Sequence, residues 1–289
     1  MDVPFDILLM ISTFCTKPKM KLLDWVPKNK LDWTCLSKNP NAIDLLEANQ
    51  EKINWDSLSA NPNGIHLLES NPEKINWDYL SSNPNGIHLL ESNPKKINWD
   101  YLSINPNGIP LLQSNPKKIH WIWLLSNPNA IHMIESKKNH DNIFIDCLSL
   151  NPNAIHILLK HFDRINWYNL SKNPNGIPLL KANPDKIIWS CLSENPNGIH
   201  LLETNLKQID WFNLSENPNG IHLLKANPEK IYWPNLSSNP NGIHLLKANP
   251  DKINWKRLSK NPSIFEFDIH DMQIQLKNKA NAIDWVYKN

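Results

Sequence analysis

The sequence has little net charge, few cysteines, few glycines and no long apolar run. Thirty Lys and Arg against 28 Asp and Glu leave a formal charge of +2 over 289 residues, too little to gather nucleic acid or an anionic membrane by composition alone. Of four cysteines, Cys35, Cys147 and Cys191 recur at one position of a repeat, units apart. A disulfide needs Cα atoms within about 7 Å, so these thiols are expected to stay free, as in a reducing compartment. The apolar run Phe5 to Ile11 is too short to span a bilayer and follows acidic Asp2, so neither a membrane span nor a signal peptide is expected. The sequons at Asn169, Asn213 and Asn235 then read as coincidences of the repeat.

The chain also lacks any G-x-S-x-G, P-loop, H-E-x-x-H or G-x-G-x-x-G pattern, and every carboxylate belongs to a repeated or tail position. No catalytic residue and no cofactor site is expected. A row of histidines (His66, His88, His132, His156, His200, His222 and His244) places one imidazole in each of seven units. Neighbouring units stand about 10 Å apart and zinc needs ligands about 2 Å from one ion, so the row predicts exposed helix faces and no metal site.

What is present is a period. Asn-Pro-Asn or Asn-Pro-Ser begins at Asn39, Asn61, Asn83, Asn105, Asn127, Asn151, Asn173, Asn195, Asn217, Asn239 and Asn261, a spacing of 22 residues broken once by two extra. All seven glycines occupy one position of this unit and ten of 13 tryptophans another. Such a period marks a solenoid, whose units bury their apolar faces only against neighbours.

Residues 75–94 show the unit's logic. Asn76 is an N-cap candidate, with Asn or Asp at seven of eleven equivalent positions, and Ile75 with Leu80 forms a hydrophobic staple. Asn83 precedes Pro84, so this first helix must end by about Ser82. Two starts compete for the second helix. Because Pro110 and Pro178 replace the usual His two residues after Gly, and Pro is tolerated only in a first turn, the start is placed at Gly86 with Asn85 as cap. Gly86, Ile87, Leu89 and Leu90 then share one face, and His88 and Glu91 the other. Ala42, Ala130 and Ala154 at the Gly position mean that smallness, not a positive φ, is required there. Burying a Trp, two Leu and two Ile per unit makes helices of six to eight residues tenable.

The fold expected is therefore all-α, an α-solenoid of about eleven two-helix repeats. The alternative is a leucine-rich-repeat-like solenoid, which would need a buried strand position where Thr34, Asp56, Asp78, Asp100 and Lys256 stand. Residues 1–26 are expected to cap one end, residues 27–265 to form the repeats with a kink at the insertion near 135–142, and residues 266–289 to cap the other end. The segment from Val3 to Cys15 resembles the start of an F-box, which implies a ubiquitin-ligase adaptor as a further reading.

The motif LSxNPNGIHLLExNPxKIxW, closed by NPSIFEFD, resembles uncharacterised tandem-repeat proteins of giant DNA viruses. The resemblance runs from about Lys30 to Asp268 and implies a viral origin and short-repeat architecture, with work inside the host cytoplasm or the virion; it implies no activity. Lys52, Lys74, Lys96, Lys118, Lys186, Lys230 and Lys252 could track phosphates, but they sit beside acids on a solvated edge, which disfavours nucleic acid. The positions that escape the period lie just after each Trp. Tyr79, Tyr101, Ile122, Trp123, Tyr168 and Phe212 are the candidate partner-binding residues, with Ile104 and Leu150 nearby. The function expected is a non-catalytic scaffold for protein–protein interaction, with base reading by the same positions as the alternative. Partner identity and oligomeric state are left open.

Overall fold

A computed structural model describes residues 18–136 and 145–288, with side chains described as far as residue 279. Helices of four to six residues recur through the described repeats, two per unit, shorter than the period suggested. In the unit at residues 75–96, the Asn76 side chain accepts the Tyr79 N–H at the start of helix Trp77–Ser82. A 3-10 turn Pro84–Gly86 leads into the second helix, Ile87–Ser92, and another at Pro94–Lys96 leads out. No described residue from 27 to 264 lies in a strand, which removes the leucine-rich alternative.

The Asn-Pro-Asn segment works differently from the expectation. Asn83, not Asn85, supplies the local cap: its Oδ1 accepts the Asn85 N–H and opens the 3-10 turn. Gly86 then precedes the second helix with no side-chain cap. Asn85 instead donates its Nδ2 to the carbonyl of Pro62 in the preceding repeat. The sequence treated the motif as a local event, whereas its third residue is spent on the neighbour.

The core is a stack of leucines. Leu80 and Leu90 and their equivalents are fully buried, with Ile75 and its equivalents beside them. The tryptophans are half-buried and flank this core. His88 and Glu91 are exposed, as the amphipathic pattern requires. No φ is positive at any described glycine. A Cβ at Gly86 would lie 2.7 Å from Leu80 Cδ1 and 3.0 Å from the Leu80 carbonyl oxygen. The tight approach that requires smallness is thus between the two helices of one repeat.

Repeats are joined by the first Asn of each motif, buried in all eleven. Its Nδ2 donates to two carbonyls of the preceding repeat at 2.8–3.1 Å, those of its Asn and of the residue two before it. A serine rung adds to this: Ser59 Oγ accepts the N–H of Asn76 in the next repeat, and Ser37, Ser81, Ser103, Ser149, Ser171, Ser193, Ser215 and Ser237 do the same. Leu125 replaces serine in the repeat before the insertion.

The array closes on itself. Asn39 in the first repeat donates to the Ser259 and Asn261 carbonyls of the last, at 3.1 and 3.0 Å. Asn41 donates to the Pro262 carbonyl, and the Asp32 N–H to Ser259 Oγ. Lys30 lies over the Trp255 ring at 4.9 Å, as Lys52 lies over Trp33. Each of these contacts is the one an internal pair of repeats makes, so the eleventh repeat is the structural predecessor of the first. A head-to-tail contact repeated at constant rotation without net rise forms a ring, and each step here is one-eleventh of a turn.

The termini seal the joint together. Where the last repeat would place its second helix, strand β2 (Phe265–Phe267) pairs antiparallel with β1 (Met20–Leu22), in the register Met20 to Phe267 and Leu22 to Phe265. Lys21 and Glu266 form an ion pair at 3.2 Å across the strands. The flanking segments thus complete one shared unit, where a separate cap at each end had been expected. The C-terminal helix Ile269–Lys288 follows as one element. The F-box-like segment from Val3 to Cys15 lies outside the described residues, as does most of the inserted stretch where a kink was expected.

Candidate partner-binding surface

In a ring, the elements nearest the axis stand closest together. First helices of successive repeats pack directly on one another, and the second helices are spaced more widely. Side chains on the first-helix row also reach across an intervening repeat: Lys38 lies 5.7 Å from the ring of Tyr79, and Arg257 Nη1 is 3.5 Å from Glu216 Oε2. Such contacts need a concave face. With axes about 8–10 Å apart, eleven first helices sit about 14–18 Å from the centre. Allowing about 5–6 Å for each helix's half-width, opposite inner faces stand about 20 Å apart.

All six candidate residues lie on these first helices, and the structure brings three of them into contact. The Tyr79 and Tyr101 rings are 6.3 Å apart between centroids, and Tyr101 meets Trp123 edge-on at 5.4 Å. Three consecutive repeats thereby form one aromatic run, flanked by exposed Ile104, Ile122 and Leu150. His120 packs on Trp123 at 5.4 Å and accepts its backbone N–H as the helix cap. Tyr168 is exposed beyond the run, with Lys172 over its ring at 5.2 Å. Phe212, two repeats further round, pairs at 4.6 Å with Tyr232, an exposed residue at the cap position that the sequence analysis did not select. Its signal was available: Tyr232 stands where most units carry Asn or Asp.

Charge on the inner row is uneven. Asp56, Asp78, Asp100 and Asp146 follow their repeats' Trp or its equivalent, all exposed. Asp56 and Asp78 each accept the cap amide of the next repeat at 2.8 Å, from Asn76 and Asn98. Basic residues Lys256, Arg257 and Lys260 gather on the last repeat, with Lys38 beside them on the first. Among the described residues Lys172 pairs with Glu194 at 3.2 Å, and Arg257 with Glu216.

The remaining rows are taken up by contacts between repeats. Lys52, Lys74 and Lys252 lie over Trp33, Trp55 and Trp233 of the preceding first helix at 4.4–4.9 Å, a cation–π contact made from the exposed, acid-flanked edge that was expected. His88, His156 and His222 bridge to Glu69, Glu135 and Glu203 at 2.7–2.9 Å, and His66 pairs with Glu47. These pairs hold Glu135 and Glu203 below the usual carboxylate range. Burial pushes the Cys35, Cys147 and Cys191 thiols up, which keeps them protonated. No group of three potential metal ligands converges among the described residues, and no described helix is long and apolar enough to cross a membrane.

The architecture defined by these features is a closed α-solenoid, a ring of short two-helix repeats with a variable inner face. Compared with protein-family models, curated proteins and solved structures, the chain matches none of them.

Proposed function

We propose that the protein is a non-catalytic ring scaffold that binds a partner protein through the variable first-helix row on its inner face. The observation that carries this reading is the contact run Tyr79–Tyr101–Trp123 on a concave surface. Elsewhere the repeats spend identical residues on holding one another, and here they differ. Partially exposed aromatics in mutual contact supply large contact area at low entropy cost, the composition of binding hot spots. The reading keeps the setting implied by the viral resemblance, the host cytoplasm or the virion.

Affinity recovery from host cells, compared between wild type and the Tyr101→Ala/Trp123→Ala double variant, tests it. The double variant should keep its helical circular dichroism and lose the partners that wild type retains. Equal recovery by both would refute the proposal.

A further inference from the structure

The aromatic run does not stand in neutral surroundings, and its neighbours narrow the kind of segment it can hold. Tyr79 and Tyr101 each directly follow an aspartate, Asp78 and Asp100, and Asp56 stands one repeat before them. Asp146 follows one repeat beyond Trp123. Among the described residues none of these four carboxylates is in a salt bridge, although Lys172 and Arg257 on the same inner row are. Asn76 and Asn98 hold Asp56 and Asp78 in place, so little ordering is lost when a ligand arrives. Lys38, over Tyr79, is the one cation described against the run.

We infer that the segment bound on this arc is a basic polypeptide stretch, in which Lys or Arg side chains alternate with aliphatic ones. The inference rests on the proposed function above and names its ligand class. An ammonium or guanidinium laid on the face of Tyr79, Tyr101 or Trp123 meets ring quadrupole and carboxylate together. Aliphatic side chains have Ile104, Ile122 and Leu150 to cover. The basic sector that adjoins the arc across the closing joint, with Lys256 and Lys260 exposed, would repel the same segment, so binding is confined to the repeats from Asp56 to Asp146. An opening of about 20 Å admits an extended chain or a helix about 10–12 Å across, so neither form need unfold the ring.

Fluorescence anisotropy tests this with a labelled peptide of about fourteen residues built from Lys, Leu and Ser, beside counterparts carrying Glu or Gln for every Lys. The Lys peptide should bind at least about tenfold more tightly than the Gln peptide, and the Glu peptide should not bind. Asp78→Asn/Asp100→Asn should weaken the Lys peptide about tenfold, and raised salt should do likewise. Lys256→Gln/Lys260→Gln should not weaken it. Equal binding of the Lys and Gln peptides, or full binding by the Asp variant, overturns the inference. If the Tyr101→Ala/Trp123→Ala variant loses cellular partners while the Asp variant keeps them all, the scaffold reading survives and the basic-segment inference does not.

Discussion

Asn39 donates its side-chain amide to the carbonyl of Asn261 at 3.0 Å, joining residues separated by 222 positions. The same bond joins Asn61 to Asn39 at 2.9 Å between consecutive repeats. One contact thus serves as internal joint and as closure. The closing joint lacks a covalent link and carries the β1–β2 pair where the last repeat would place its second helix; the missing link makes it the point at which the ring can open.

Replacing Asn39 by Ala removes two buried hydrogen bonds to the last repeat and the local cap on Asn41. At about 1 kcal/mol per bond, with carbonyls left unpaired, the loss should be about 2–4 kcal/mol. The matching change at Asn195 breaks the same bonds inside the covalent array. Urea titration followed by analytical gel filtration should show Asn39→Ala expanding before global unfolding and Asn195→Ala unfolding without that step.

Glycine to alanine should cost different amounts along the ring. At Gly64 the nearest atom to an added Cβ is the end of the Leu58 side chain, at 2.7 Å, with the carbonyl at 3.3 Å; at Gly176 it is the Leu170 carbonyl itself, at 2.6 Å. A side-chain tip can rotate and a carbonyl fixed in a helix cannot. Gly176→Ala should therefore lose about 1–3 kcal/mol and Gly64→Ala clearly less, measured by thermal denaturation.

Asp32 caps the first helix of the array beside the closing joint. The N–H of Cys35 chiefly holds its carboxyl below the usual range, with Lys256 across the joint adding to this. A depressed carboxylate stabilises the fold above its unfolded pKa of about 3.9, and that contribution is lost as pH falls through the folded value. Asp32→Asn, which can still cap, should match wild type to within about 1 kcal/mol at neutral pH. Urea midpoints should show wild type losing ground to the variant between pH 5 and pH 3 in that direction only.

Lys74 over Trp55 at 4.4 Å is the shortest of the described lysine–tryptophan contacts. Lys74→Ala should cost about 0.5–1 kcal/mol, and Lys74→Arg should retain most of it. Little change at Lys74→Ala would make the lysine row a solvated edge, as the sequence alone suggested.

The period, the two-helix unit, the cap at Asn76 and the smallness required at Gly86 were legible in the sequence because each is enforced within one repeat. Asn85 was misread because its bond partner, the Pro62 carbonyl, lies a repeat away, and short-range rules see only the vacant helix end beside it. Closure was missed for the same reason, although a signal existed. A capped solenoid replaces contact residues at its ends, yet Lys30, Asp32, Asn39 and Asn41 at one end, and Trp255, Ser259, Asn261 and Pro262 at the other, keep the internal pattern. Of the candidate site, Tyr79, Tyr101 and Trp123 follow from their shared repeat position, whereas the inner placement of that row follows only from the ring.

The most direct test of the closed ring is a disulfide between its two ends. Lys21 and Glu266 are directly opposed across β1 and β2, so Lys21→Cys/Glu266→Cys, in a background with all native cysteines replaced, should oxidise within single molecules and yield a faster-migrating monomer on non-reducing gels. A chain that stays reduced, or links only between molecules, would mean that the two ends do not meet and the ring does not form.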